Sequence, residues 1–143
     1  QFRSGAGYQY EDTVIYGFSH TNKGHWNLLH LPVLPVTGNV SSGDYASTYS
    51  HSNESARPGY YQVFLERYGV NAELTSTLRC AYHKYTFRPD DDKKVLVDIT
   101  RTNNGVRDWS IQKVDDYTFS GNQRKEISVS MLFPIIRLRI SDS

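Results

Sequence analysis

The chain has 143 residues, 38% of them hydrophobic, with 16 basic residues against 15 acidic ones for a formal net charge of +1. That length suits one domain with a real core. A mean hydropathy of −0.58 with no apolar run of bilayer length excludes a membrane-spanning helix, and the balanced, scattered charge excludes a nucleic-acid or anionic-membrane partner held by bulk electrostatics.

Taken in chain order, the sequence reads as short strands cut by turn residues. Val14-Ile15-Tyr16-Gly17-Phe18 predicts a first strand, and Leu29 to Val36, with Pro32 and Pro35, predicts an extended edge or irregular strand. After the Gly/Ser-rich turn at Gly38 to Gly43, Pro58 to Tyr68 alternates. Tyr61, Val63 and Leu65 share one face, while Tyr60, Gln62, Phe64 and Glu66 share the other. Tyr68-Gly69-Val70-Asn71 predicts a tight connection to a hairpin partner over Ala72 to Thr77. Arg79 to Phe87 forms the next strand, with Cys80 expected as a buried structural thiol within it. Arg88-Pro89-Asp90-Asp91-Asp92 breaks that strand, Val95 to Ile99 follows, and Asn103-Asn104-Gly105 turns into Val106 to Gln112 and then Tyr117 to Phe119. No window of helical length carries a capped apolar stripe.

Regular short strands with frequent turns predict an all-β fold, an antiparallel β-sandwich. Residues 1–143 read as one such domain, incomplete at both ends, with 126–143 as a divergent tail. Glu126 to Ser143 alternates weakly and ends on Arg137-Leu138-Arg139-Ile140, as in a chain cut inside a larger fold.

The densest group of functional residue types is His20, Lys23, His25, Trp26 and Asn27, with His30 close behind. The segment follows a strand and contains Gly24, which suits a loop on a rigid sheet. An indole face can stack on the C–H face of a sugar ring while Asn, Lys and His meet its hydroxyls, so these five are the candidate substrate-binding residues. The same residues also suit a packed crossing loop with Trp26 turned inward. The five-residue steps between His20, His25 and His30 match neither a helical pair nor one strand face, which argues against zinc. Asp90-Asp91-Asp92 lacks the spaced ligands of a calcium loop and reads as a solvated turn. The single cysteine excludes an internal disulfide, and no carboxylate pair or nucleophile–base set emerges, so no catalytic residue is assigned.

The blocks Gly7-Tyr8-Gln9-Tyr10-Glu11-Asp12-Thr13-Val14-Ile15-Tyr16-Gly17-Phe18-Ser19-His20-Thr21, Leu31 to Gly38, Tyr49-Ser50-His51-Ser52-Asn53-Glu54-Ser55-Ala56-Arg57-Pro58-Gly59-Tyr60-Tyr61, Val70 to Thr77, His83 to Phe87 and Val95 to Thr100 together carry a resemblance. In this order they resemble the N-terminal domain of glycoside hydrolase family 92, largely bacterial α-mannosidases. The resemblance implies a supersandwich-like domain of the galactose-mutarotase type. It also implies that an (α/α)6 catalytic domain follows and supplies the acid, the base and the calcium ligands of an exo-acting, inverting enzyme. On that reading this chain carries no cofactor of its own and is inactive alone. Its partners are α-mannoside glycans and the helical domain, and its location is periplasmic or secreted. The loop after Gly17-Phe18-Ser19-His20 would then close the active site from one side. Two departures stand out: the loop reads Asn22-Lys23-Gly24-His25-Trp26-Asn27 where many members have a Ser-Gly-Thr-Gly type, and the family's pattern is lost from about Glu126. A free-standing carbohydrate-binding module, or a purely structural sandwich, is the alternative.

Overall fold

Runs of Val, Ile, Leu and Tyr separated by Gly, Pro, Asn and Asp become strands because alternating side chains suit a half-buried pleat and the punctuating residues suit turns. The computed structural model describes residues 9–21, 30–41, 43–78, 80–100, 106–124 and 130–137. Among them the strands are β1 (Val14–Ile15), β2 (Phe18–Thr21), β3 (His30–Thr37), β4 (Ser47–Thr48), β5 (Glu54–Arg57), β6 (Tyr60–Leu65), β7 (Val70–Ser76), β8 (Ala81–Thr86), β9 (Lys93–Val97), β10 (Asp108–Asp115), β11 (Thr118–Arg124) and β12 (Ser130–Arg137). One 3-10 turn, His51–Asn53, precedes β5. The fold is all-β and antiparallel, as the sequence predicted.

Among the described residues four sheets form: β1-β4, β2-β3-β9, β5-β6-β7-β8 and β10-β11-β12. The four-stranded and β2-β3-β9 sheets enclose the core between them. Leu34 and Val36 of β3 meet Val63 and Leu65 of β6 and Val70 and Ala72 of β7, with Ile15, Tyr45, Tyr49 and Tyr68 completing the cluster. Alternation explains the membership: on β6 Val63 and Leu65 are fully buried while Gln62 and Phe64 between them are not. Tyr68, packed deep in this core, donates its hydroxyl to the Tyr45 carbonyl at 2.7 Å, so its one polar atom is satisfied.

Several expectations change. The Val14–Phe18 segment splits at Tyr16-Gly17 into β1 and β2, which belong to different sheets. β3 is the central strand of its sheet rather than an edge. Its prolines are tolerated because each sits where the ladder needs no N–H. Pro32 lies at the end of the β9 pairing, where its carbonyl accepts from the Asp98 N–H. Pro35, three residues on, faces the side where β2 has already ended, since β2 begins at Phe18 opposite Val33. β5 was not anticipated, and it forms because the Pro58-Gly59 turn folds Glu54–Arg57 back on β6. Cys80 is exposed and lies before β8, not buried within a strand. A turn holds it there: the Thr77 N–H donates to the Cys80 carbonyl at 2.8 Å, and the Cys80 N–H donates to Thr77 Oγ1 at 3.2 Å.

Candidate functional site

The β2–β3 hairpin carries the predicted binding residues. Gly17 opens it with φ of 148°, in a region almost closed to other residues, and a Cβ there would lie 2.8 Å from Pro32 Cβ. Close approach of the two strands therefore requires glycine. Ser19 then pairs with Pro32 and Thr21 with His30. His20 lies in β2 between them. Lys23, His25, Trp26 and Asn27 fall in the connection 22–29, which lies outside the described residues, as does Gly24.

At the far side of that connection Leu31 adopts φ of 47°, unusual for a branched side chain and more so before a proline. Such a conformation costs roughly 1–3 kcal/mol and persists only when the surroundings enforce it. Here the side chain is 1% exposed, so burial holds it. Backbone strain thus sits where the hairpin leaves the sheet.

A second segment leaves the same end. β9 runs antiparallel to β3 with Val97 opposite Val33, so residues beyond Val97 continue past Pro32 toward the His30 end of β3. Asp98 organises them. Its Oδ2 accepts from the Tyr45 hydroxyl at 2.6 Å, and its Oδ1 accepts from the Thr100 N–H at 2.9 Å and the Thr100 hydroxyl at 2.7 Å. Gln123 of β11 ties in by donating Nε2–H to the Ile99 carbonyl at 2.7 Å.

Behind β2 stands an aromatic group from β8. Phe18 meets His83 edge-on at 5.9 Å and stacks with Tyr85 at 6.5 Å. His83 Nδ1 lies 2.7 Å from the Tyr85 hydroxyl oxygen, and burial holds the Tyr85 phenol well above its ordinary pKa. The phenol therefore stays protonated through the physiological range.

A further polar group lies at the start of the four-stranded sheet. His51 Nδ1 is 2.6 Å from Glu54 Oε2, while the Tyr61 hydroxyl donates to Glu54 Oε1 at 2.6 Å. The Glu54 side chain is only 8% exposed. His51 stacks on Tyr10 at 4.2 Å and meets Tyr49 edge-on at 5.4 Å. The hydrogen bond to Glu54 is the main cause that raises the His51 pKa, with the Tyr10 backbone and Glu11 adding to it. Both Glu54 oxygens accept hydrogen bonds, so the set acts as a clamp on the segment at Tyr10 and not as a poised general base.

The sequence did not assign Asp98, His83, Tyr85 or the His51–Glu54–Tyr61 set to a site. Their signal was present only as membership in the ordered blocks: Tyr45–Asp98 and Phe18–His83 join residues far apart in the chain, while the contacts of His51, Glu54 and Tyr61 depend on how β5 folds back on β6. Among the described residues no three His, Cys, Asp or Glu side chains converge as metal ligands. Asp90, Asp91 and Asp92 form a surface turn, in which Asp91 Oδ2 accepts from the Arg88 N–H at 3.1 Å and Asp92 pairs with Lys94.

Comparison with known proteins places this arrangement. The α-mannosidase BT3965 of family 92 from Bacteroides thetaiotaomicron is 31% identical, superposes with a TM-score of 0.75, and matches over 83% of this chain and 18% of its own. Its complex with mannoimidazole gives 31% identity and 0.72 over 81% of this chain and 17% of its own. The family 92 inverting mannosidase BT2199 from Bacteroides thetaiotaomicron VPI-5482 gives 26% identity and 0.67 over 88% and 17%. The chain thus spans less than a fifth of these relatives. No curated protein sequence matches significantly. The family model for the glycosyl hydrolase family 92 N-terminal domain matches residues 1–131. With nearly the whole chain so matched, and with an antiparallel sandwich that superposes on these enzymes, the protein belongs to glycosyl hydrolase family 92 as its N-terminal domain.

Proposed function

We propose that this chain is the N-terminal sandwich of an exo-acting, inverting, calcium-dependent α-mannosidase, acting on α-mannoside glycans outside the cytoplasm. In this reading it packs on a helical catalytic domain and presents His20, Lys23, His25, Trp26 and Asn27 to the substrate. The observation that carries it is the family match over residues 1–131; the Asp98-centred hydrogen bonds at the end of the sheet where Thr21 pairs with His30 support it. The names of the relatives support the substrate class: one is an inverting mannosidase, and another was solved with mannoimidazole.

The outer sheet supports a partner domain. All eight residues of β10 are exposed, including Trp109, Ile111 and Val114, and Tyr117 follows in its turn. Apolar groups gathered on an edge strand are the mark of a surface that another element covers. Acid–base chemistry would reside in that partner, where one carboxylic acid protonates the glycosidic oxygen and a carboxylate activates water. Calcium would likewise be held there.

Two measurements test the reading. The 143-residue chain, incubated with an aryl α-mannoside and calcium, is expected to give no hydrolysis. The genomic DNA beyond the Ser143 codon is expected to continue in frame into a helical domain. Turnover by the chain alone, lost on mutating one of its own residues, would overturn the division of labour.

A further inference from the structure

The outer face of the four-stranded sheet carries a pattern that the hairpin reading leaves unused. Strand register aligns three rows across it: Arg57, Tyr60, Thr75 and Tyr82; Ser55, Gln62, Glu73 and Lys84; and Phe64, Asn71 and Thr86. These residues alternate with Val63, Leu65, Val70 and Ala72 and so lie opposite the core. A solvent face usually has no need of aromatic rings, yet three interleave here with amide, carboxylate and hydroxyl groups.

The polar groups are held in place by one another. The Tyr60 hydroxyl lies 2.8 Å from Glu73 Oε1 and 2.9 Å from Gln62 Oε1. Gln62 donates Nε2–H to Asn71 Oδ1 at 3.1 Å, and Lys84 Nζ pairs with Glu73 Oε2 at 3.2 Å. The Arg57 guanidinium lies over the Tyr60 ring, 4.6 Å from its centroid. Hydrogen bonds from Tyr60 and Lys84 hold the Glu73 carboxyl below its ordinary pKa, so it remains an acceptor at neutral pH. Asn71 spends its oxygen inside the network and keeps its amide N–H groups for a ligand. Fixed planar donors and acceptors on strands form a preorganised surface.

At one end of this face lies an open cavity of about 560 Å³, lined by Phe64, Asn71, Gln62, Ser55 and Asn53 among others. That volume falls within the ~300–1,000 Å³ typical of small-molecule sites. Its lining offers one ring for stacking, hydroxyl and amide groups, and Glu54, whose two carboxylate oxygens are already engaged by His51 and the Tyr61 hydroxyl. Such a lining matches a neutral molecule with apolar C–H faces and many hydroxyls.

We infer that this face is a second glycan-binding surface, centred on Phe64, Gln62 and Asn71, which holds an oligosaccharide apart from the β2–β3 hairpin. The surface itself stands on the geometry above, and only the choice of a mannoside as its ligand rests on the proposed function. Binding would be weak, with Kd near ~1 mM, because the cavity is open and few groups are desolvated.

The test is titration of the isotope-labelled 143-residue chain with α-mannotriose and, separately, cellotriose, followed by amide shifts. The expected result is saturable shifts confined to residues 52–55, 62–64 and 71. They should weaken at least tenfold in Asn71→Ala and in Gln62→Ala, two outer-face changes that should leave the circular dichroism and melting curve unchanged, and persist in Trp26→Ala. Binding of cellotriose alone would keep the surface and count against the mannoside class. Two results would overturn the inference: no saturable shift by either sugar at about 20 mM, some twentyfold the expected Kd, or binding lost in Trp26→Ala and retained in both outer-face variants.

Discussion

Substituting Gly17 by alanine tests how the hairpin is built. Two separate costs arise at this position. The backbone angle of 148° lies in a region that is essentially glycine-only, which costs an alanine about 1–3 kcal/mol. The new Cβ would also stand 2.8 Å from Pro32 Cβ, well inside contact distance, adding about 1–3 kcal/mol of overpacking. Together these reach about 2–6 kcal/mol, a large share of the ~5–15 kcal/mol that holds a domain. Gly59→Ala provides the comparison, because its φ is 77° and a Cβ there would meet nothing within 4 Å, so only the backbone cost of ~1–2 kcal/mol applies. Thermal and urea unfolding of the 143-residue chain, followed by far-ultraviolet circular dichroism, should rank the variants Gly17→Ala below Gly59→Ala below the parent. At ~2–4 °C per kcal/mol, the Gly17 variant should lose at least ~4 °C. If the two variants melted together, the close approach of β2 to Pro32 would be refuted.

Two further outcomes follow from the same structure. The raised His51 pKa means that the folded state binds this proton more tightly than the unfolded chain does, chiefly through Glu54. The stability it contributes is therefore complete below the ordinary histidine value near 6.5 and declines as pH rises through the raised value. Denaturation midpoints between pH 6 and 9 should show this decline in the parent, and Glu54→Gln should flatten it; an unchanged profile in that variant would remove the clamp. Exposure of Cys80 predicts that about one equivalent of a disulfide reagent such as 5,5′-dithiobis(2-nitrobenzoate) reacts without denaturant, whereas a thiol that reacts only after unfolding would restore the buried reading.

Much of the fold lay in local pattern. Val63 and Leu65 alternate with Gln62 and Phe64, and that two-residue period alone assigns them to the core face. The Tyr68-Gly69 turn similarly marked the β6–β7 hairpin, because neighbouring strands joined by a short turn have little choice of partner. The candidate loop was legible as a cluster of residue types, and the ordered blocks identified the family. What stayed hidden was every feature that depends on distant segments meeting. Nothing in Leu31 to Val36 foretells that Val95 to Val97, some sixty residues on, will pair with it and turn a proline-bearing strand into a sheet centre. Nothing near Cys80 says that its turn leaves the thiol outside. The Tyr45–Asp98 and Phe18–His83–Tyr85 groups arise in the same way. Local composition determined the period and the punctuation, because steric preference and alternation act between neighbours. Sheet order, burial of individual side chains and the polar groups around the hairpin were decided by tertiary packing, since only the assembled core sets which surfaces meet.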